Sequence, residues 1–153
     1  MLTPEVRQYI ERSVLCWLAT VDAEGRPNVS PKEIFAALDD ARLVIAHIAS
    51  PGSVRNLRAC ERACVSFVDV FVQKGFKVRG RAAVVEPADP RFAELAAPLE
   101  RMTGGAFPVR GVIEVVAESV EAIRAPSYHL VPGTTEEGQI TSAMAAYGVR
   151  PRE

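Results

Sequence analysis

Val14-Leu15-Cys16-Trp17-Leu18-Ala19-Thr20-Val21, then Asp22-Ala23-Glu24-Gly25, then Pro27-Asn28-Val29-Ser30-Pro31-Lys32-Glu33-Ile34: the reading of this stretch decides the fold. The first run is short, apolar and rich in residues that suit a pleated, half-buried surface. The middle is turn chemistry, with Gly25 free to take a positive φ. The last run alternates polar and less polar positions, so the two runs are expected to pair as a hairpin. Pro31 has no N–H to donate, which places the second strand at an edge or at a bulge.

Upstream, Thr3-Pro4-Glu5 reads as a helix start: a capping hydroxyl, a proline at the first helical position, and an acid at the positive end. Val6, Tyr9, Ile10 and Val14 recur at helical spacing, so one face is expected to be buried. Downstream, Asp39-Asp40 marks a turn and Arg42 to Ile48 a strand. Ser50-Pro51-Gly52-Ser53 opens a short helix to about Cys60. Ala63 to Val72 and Gly75 to Glu86 are further strands. A helix follows Asp89-Pro90, and Pro98 is expected to break or end it, since an interior proline costs ~3 kcal/mol. Thr103-Gly104-Gly105 is a loop, and Val109 to Arg124 is one bulged strand or two. Pro126 to Gly133 reads as an extended connector. Ile140, Met144 and Tyr147 suit one face of a short helix ended by Gly148.

Six or so strands with short connections favour antiparallel pairing. A closed or partly closed barrel best removes their exposed edges. A doubly wound parallel sheet would need a crossover helix after each strand, and these are missing. The expected organisation is a single domain over 1–153, mainly β with flanking helices. It has an N-terminal helix over 1–13 and a C-terminal tail over 125–153.

Composition narrows the function. Hydrophobic residues make up 48% and charged residues 24% of the 153 positions, which is globular usage. The net charge of −1 supplies no overall cationic excess for nucleic acid or an anionic membrane surface. Three cysteines, Cys16, Cys60 and Cys64, are an odd number with no second close pair, which argues against a disulfide framework or a zinc knuckle. No apolar stretch approaches the ~20 residues of a membrane span. Met1 to Glu11 lacks the apolar run of a secretory signal, so the expected location is the cytoplasm.

Strand alternation puts Asn28, Ser30 and Lys32 on one face, and Lys77, Arg79 and Arg81 on one face of a later strand. Each stripe is either a solvated outer face or an anion-binding wall. Ser50 to Leu57 follows a strand and opens a helix, whose unpaired N–H groups suit a phosphate. Ser53 and Arg55 could add a hydroxyl and a charged donor fork there; an ordinary capped helix is the alternative. His47 and His129 have no Cys or carboxylate at ligand spacing, so no metal site is expected. No nucleophile elbow is present, and no catalytic residue stands out. An enzyme of this composition would take its reactive atom from a cofactor.

Three stretches in order, CWLATVDAEGRPNVSP (Cys16 to Pro31), RLVIAHIASPGSVRNLRACERACVSFV (Arg42 to Val68) and FKVRGRAAVVE (Phe76 to Glu86), carry a resemblance. The chain resembles the pyridoxamine-phosphate-oxidase-like family of FMN-binding split barrels. The resemblance implies a six-stranded antiparallel split β-barrel flanked by helices, a homodimer, and FMN at the dimer interface. It implies that the flavin ring lies against Val29, Ser30, Pro31 and Lys32. It implies that the phosphate meets the strand end at Ile48, then Ser53, Arg55, Asn56 and the basic Lys77. Members that oxidise pyridoxamine phosphate carry a basic pair at the start of the helix, where this chain has Pro51-Gly52-Ser53. The implied activity is therefore a flavin-dependent oxidoreductase acting on another small molecule or electron donor, not vitamin B6 oxidation. A non-catalytic flavin or electron-transfer module is the alternative, as is a split barrel that binds deazaflavin or haem.

Overall fold

A computed structural model describes residues 1–151. The last two residues of the 125–153 tail, Arg152 and Glu153, lie outside the described residues.

The expected hairpin is β1 (Cys16–Val21) and β2 (Pro27–Lys32), antiparallel, with Trp17 opposite Pro31 and Ala19 opposite Val29. Asp22 shapes its turn by accepting from the backbone N–H groups of Glu24 and Arg26. β3 (Phe35–Ala37), β4 (Arg42–His47), β5 (Arg62–Asp69), β6 (Lys74–Val85) and β7 (Gly111–Arg124) complete one sheet. Its order is β2-β1-β5-β6-β7-β4-β3, and every pairing is antiparallel. The two edge strands, β2 and β3, are consecutive in the chain with only Glu33 and Ile34 between them. Three peptide units span at most roughly 11 Å. The sheet must therefore curl until its edges nearly meet, which makes it a split barrel.

The sheet has seven strands where six were expected. The reading of Pro27 to Ile34 as one strand missed a break. Ile34 packs with the cluster under the third helix, whereas Phe35 enters the barrel interior. Consecutive residues thus serve two cores, and the chain crosses the split there and begins a new strand on β4.

The barrel interior is filled by Leu18, Val65, Phe67, Val78, Ile45 and Ile113 and is closed by α1 (Pro4–Arg12). Thr3 caps α1 by accepting from Val6 N–H, and Leu2, Val6, Tyr9 and Ile10 are buried. Val14 was expected on that face but is exposed, because the helix ends at Arg12. The second core lies under α3 (Phe92–Thr103), where Leu95, Ala96 and Leu99 cover Val44, Val85 and Val112. Pro98 neither breaks nor ends this helix. Burying two leucines, at about 1.5–3 kcal/mol each, outweighs the proline cost. β7 is one strand, with Glu118 as the extra residue of a bulge: Arg79 faces Ser119, and Gly80 faces Ala117.

The α3 core carries one buried acid. Glu114 accepts from Arg42 at 3.1 Å and from Arg91 at 2.9 Å, joining β4, β7 and the start of α3. The arginines are 33% and 55% exposed, so water can rescue them in part. Glu114→Gln is therefore expected to cost about 2 kcal/mol, below the 3–5 of a fully buried pair. Urea unfolding of the variant should show a lower midpoint with an unchanged slope.

The expected connector after Pro126 contains a short helix, α4 (Ser127–Leu130), before α5 (Glu136–Tyr147). Both dock on the β5–β6 turn through Tyr128 Oη to Val72 O (2.7 Å) and Lys74 to Glu136 (2.7 Å). Gly148 ends α5 as expected, with φ 66°. All three cysteines are free, and burial pushes the Cys16 thiol up to about 12. No helix among the described residues is long and apolar enough to cross a membrane.

Candidate functional site

α2 (Pro51–Ala59) lies across β1 and β2, and the polar residues between them form one cluster. Residues paired across an antiparallel ladder share a face. Cys16, Leu18 and Thr20 are buried, so their partners Lys32, Ser30 and Asn28 also turn inward, under α2. Ser30 Oγ and Ser53 Oγ are 3.0 Å apart. Asn56 Nδ2 donates to Thr20 Oγ1 at 3.1 Å. Lys32 Nζ donates to Ser50 Oγ, the residue that precedes α2. The structure thus joins Ser30, Lys32, Ser53 and Asn56.

Lys32 is the unusual member. It is 6% exposed, and no carboxylate among the described residues pairs with it. Burial pulls its ammonium below the ordinary lysine range, with only the Cys16 thiol acting in the other direction. An ion held this way needs a countercharge or must give up its proton. Ser50 makes no side-chain cap, so the first N–H groups of α2 receive no acceptor from its hydroxyl. Beside Lys32 opens a groove of about 290 Å³, whose lining includes Pro31, Lys32, Ile48, Ser50 and Phe107 together with one acid, Glu33. A larger cleft of about 950 Å³ runs between α1 and β3, but its lining has no buried cation.

Of the remaining expected residues, Pro31 and Ile48 line the groove, and the others lie elsewhere. Val29 and Pro31 point to the opposite, outer face beside Trp17; Trp17 is 46% and Val29 56% exposed. Arg55 is exposed on α2, with no acidic partner among the described residues. Lys77 is on the outer face too and pairs with Glu121 at 2.9 Å. Arg79 shares Glu121, and Arg81 pairs with Glu118, so this basic stripe is neutralised by β7. The two polar stripes therefore occupy opposite faces and do not form one wall. His47 Nδ1 is buried without a partner, and burial first, then the Lys32 charge, hold the ring neutral. His129 is exposed on α4. Among the described residues no group of three or more His, Cys, Asp or Glu could hold a metal.

A family model described as pyridoxamine 5'-phosphate oxidase matches residues 2–138. The chain belongs to the pyridoxamine 5'-phosphate oxidase family. Its similarity to the heme oxygenase HutZ of Vibrio cholerae is 26% identity over 110 residues, 67% of this chain and 61% of that protein. The chain thus spans about three-fifths of the length of that curated relative. HupZ from Group A Streptococcus superposes with a TM-score of 0.70 at 22% identity, covering 82% of this chain and 96% of that one. An FMN-binding protein from Syntrophomonas wolfei superposes with a TM-score of 0.69 at 15% identity, covering 81% and 87%. Both likenesses show the fold.

The start of α2, Pro51-Gly52-Ser53, has no basic residue, and the buried cation beside it, Lys32, comes from β2. Two polar members of the cluster escaped the sequence reading as site residues. Thr20 places a hydroxyl on the buried face of an apolar strand, a signal that was available. Ser50 stood in the helix-start motif, but nothing local showed that it would serve Lys32 and leave the cap unmade. Phe107 reaches the groove from the α3–β7 loop and carries no local signal.

Proposed function

We propose that this pyridoxamine 5'-phosphate oxidase family member binds FMN in the groove beside Lys32 and works as a flavin-dependent oxidoreductase. The observation that carries the reading is Lys32: a buried cation with no anionic partner among the described residues, beside hydroxyls and the start of a helix. A phosphate monoester supplies the missing countercharge. Lys32, Ser50 and Ser53 would hold it, with Arg55 screening it from the rim. The unpaired edge of β2 from Ser30 to Lys32 offers backbone donors and acceptors to the ring, and Ile48 an apolar wall. Bound FMN supplies hydride transfer, so the chain itself needs only to bind and orient. Asn56 contributes indirectly: its amide is spent on Thr20, which fixes α2 over the hairpin.

The groove, at about 290 Å³, is at the lower limit of ligand pockets, roughly 300 Å³. The apolar patch of Trp17, Val29 and Pro31 lies on the other side of the same strand edge. Both favour a second copy of the chain completing the site. A haem-binding reading draws on the likeness to HutZ and on the neutral imidazole of His47.

The test is an absorption spectrum after incubation with FMN, and separately with haem, followed by desalting. A retained two-band flavin spectrum supports the proposal. A retained haem band lost in His47→Ala, with no flavin held, replaces it. If flavin is held, bleaching by reduced nicotinamide separates an oxidoreductase from a passive carrier. Arg55→Ala is expected to weaken FMN binding by no more than about fivefold, because an exposed charge is screened. A fluorescence titration showing a hundredfold loss would instead put Arg55 in the first rank of phosphate ligands.

A further inference from the structure

We infer that Phe107 is a specificity-determining wall of the Lys32 groove, selecting a ligand with a planar aromatic ring attached to its anionic end. This rests on the FMN reading and adds to it a residue and a ligand class. Phe107 lines the groove with Lys32, Pro31 and Ile48, yet it is 53% exposed. An aromatic side chain half in water at the lip of a groove gains both burial and ring contact when a flat apolar surface fills the groove. Phe107 is the only aromatic in that lining.

The loop that carries it is fixed at both stems and free between them. On one side Ala106 N–H donates to Thr103 O at 2.9 Å, after Gly104 and Gly105 with φ of 55° and 82°. On the other, Arg110 N–H donates to His47 O at 3.1 Å, at the end of β4. Phe107 and Pro108 make no backbone hydrogen bond among the described residues. Two residues, Pro108 and Val109, separate Phe107 from the Arg110 tether, and the three peptide units reach roughly 10 Å. The ring can adjust to a ligand but cannot leave the corner where β4 meets α2. The groove thus has unlike walls, the Lys32 cation beside Ser50 and an aromatic lip. A phosphorylated aliphatic molecule satisfies the first only.

The experiment compares FMN with inorganic phosphate on wild type, Phe107→Ala and Phe107→Tyr. FMN affinity is read by flavin fluorescence and its off-rate by dilution, while phosphate binding is read by thermal shift. Phe107→Ala is expected to weaken FMN about tenfold through a faster off-rate, and Phe107→Tyr to restore it. The phosphate shift should be the same in all three. Unchanged FMN affinity in Phe107→Ala overturns the inference and leaves the FMN reading standing. Equal losses of FMN and phosphate also overturn it, since the loop would then be merely structural. A wild type that holds phosphate but no FMN overturns both.

Discussion

Lys32→Met should weaken FMN binding by roughly 10- to 150-fold while leaving the ligand-free protein at least as stable as wild type. The two halves come from one cause. In the folded chain the ammonium is buried against Cys16 and Ser50, and no carboxylate among the described residues pairs with it. Without ligand it is a desolvated charge, and methionine of similar length removes that cost. With a phosphate in place it is a charge-assisted donor, and its loss is felt in full. The pH dependence follows the same logic. The folded pKa lies below the unfolded value, so the unfolded chain holds the proton more tightly. Ligand-free stability from this group is therefore lowest while it is protonated, and rises as pH climbs through the folded value toward about 10.4. Chemical denaturation across that range should show this rise in wild type and not in Lys32→Met. A variant that is clearly less stable without ligand would mean that Lys32 is a structural strut.

Gly80→Ala is the second large effect, and it concerns the fold. Gly80 sits at the β6–β7 bulge, where an added Cβ would lie 2.0 Å from the backbone oxygen of Val116. No rotamer relieves a clash with backbone, so the ladder must part at the bulge. The expected cost is about 3 kcal/mol or more, the upper range for overpacking. At roughly 2–4 °C per kcal/mol, the Tm should fall by about 6–12 °C. Gly52→Ala is the control: nothing lies within 4 Å of its added Cβ, and it occupies the first turn of α2. Alanine there should be neutral or slightly stabilising. Equal losses in both variants would point to a general effect of removing glycine rather than to the close approach at Val116.

Much of this architecture was legible because it rests on local rules. The β1–β2 hairpin followed from alternation and the turn from Asp22 to Gly25, and α1 from a capping threonine before a proline. The failures were at places where two cores compete. Ile34 and Phe35 look like the end of one strand until the sheet is closed, and Pro98 looks like a stop until α3 is laid on β4 and β7. Alternation put Asn28, Ser30 and Lys32 on one face, as the ladder does, and the helix-start motif gave the start of α2. Alternation could not say which way the stripe faced, because that depends on β1 lying between β2 and β5. Lys77 was grouped with Ser53 and Asn56 by the resemblance alone, and the sheet places it on the opposite face. Phe107 depends on where a distant loop returns, which no pattern near it records.

The central claim is that Lys32 supplies the countercharge for a flavin phosphate. It is tested most directly by titrating FMN and riboflavin, which differ only in that phosphate, against wild type and Lys32→Met. Wild type should bind FMN at least about tenfold more tightly than riboflavin, and the gap should close in the variant, with riboflavin affinity little changed. A gap that persists in Lys32→Met, or no gap in wild type, would contradict the assignment.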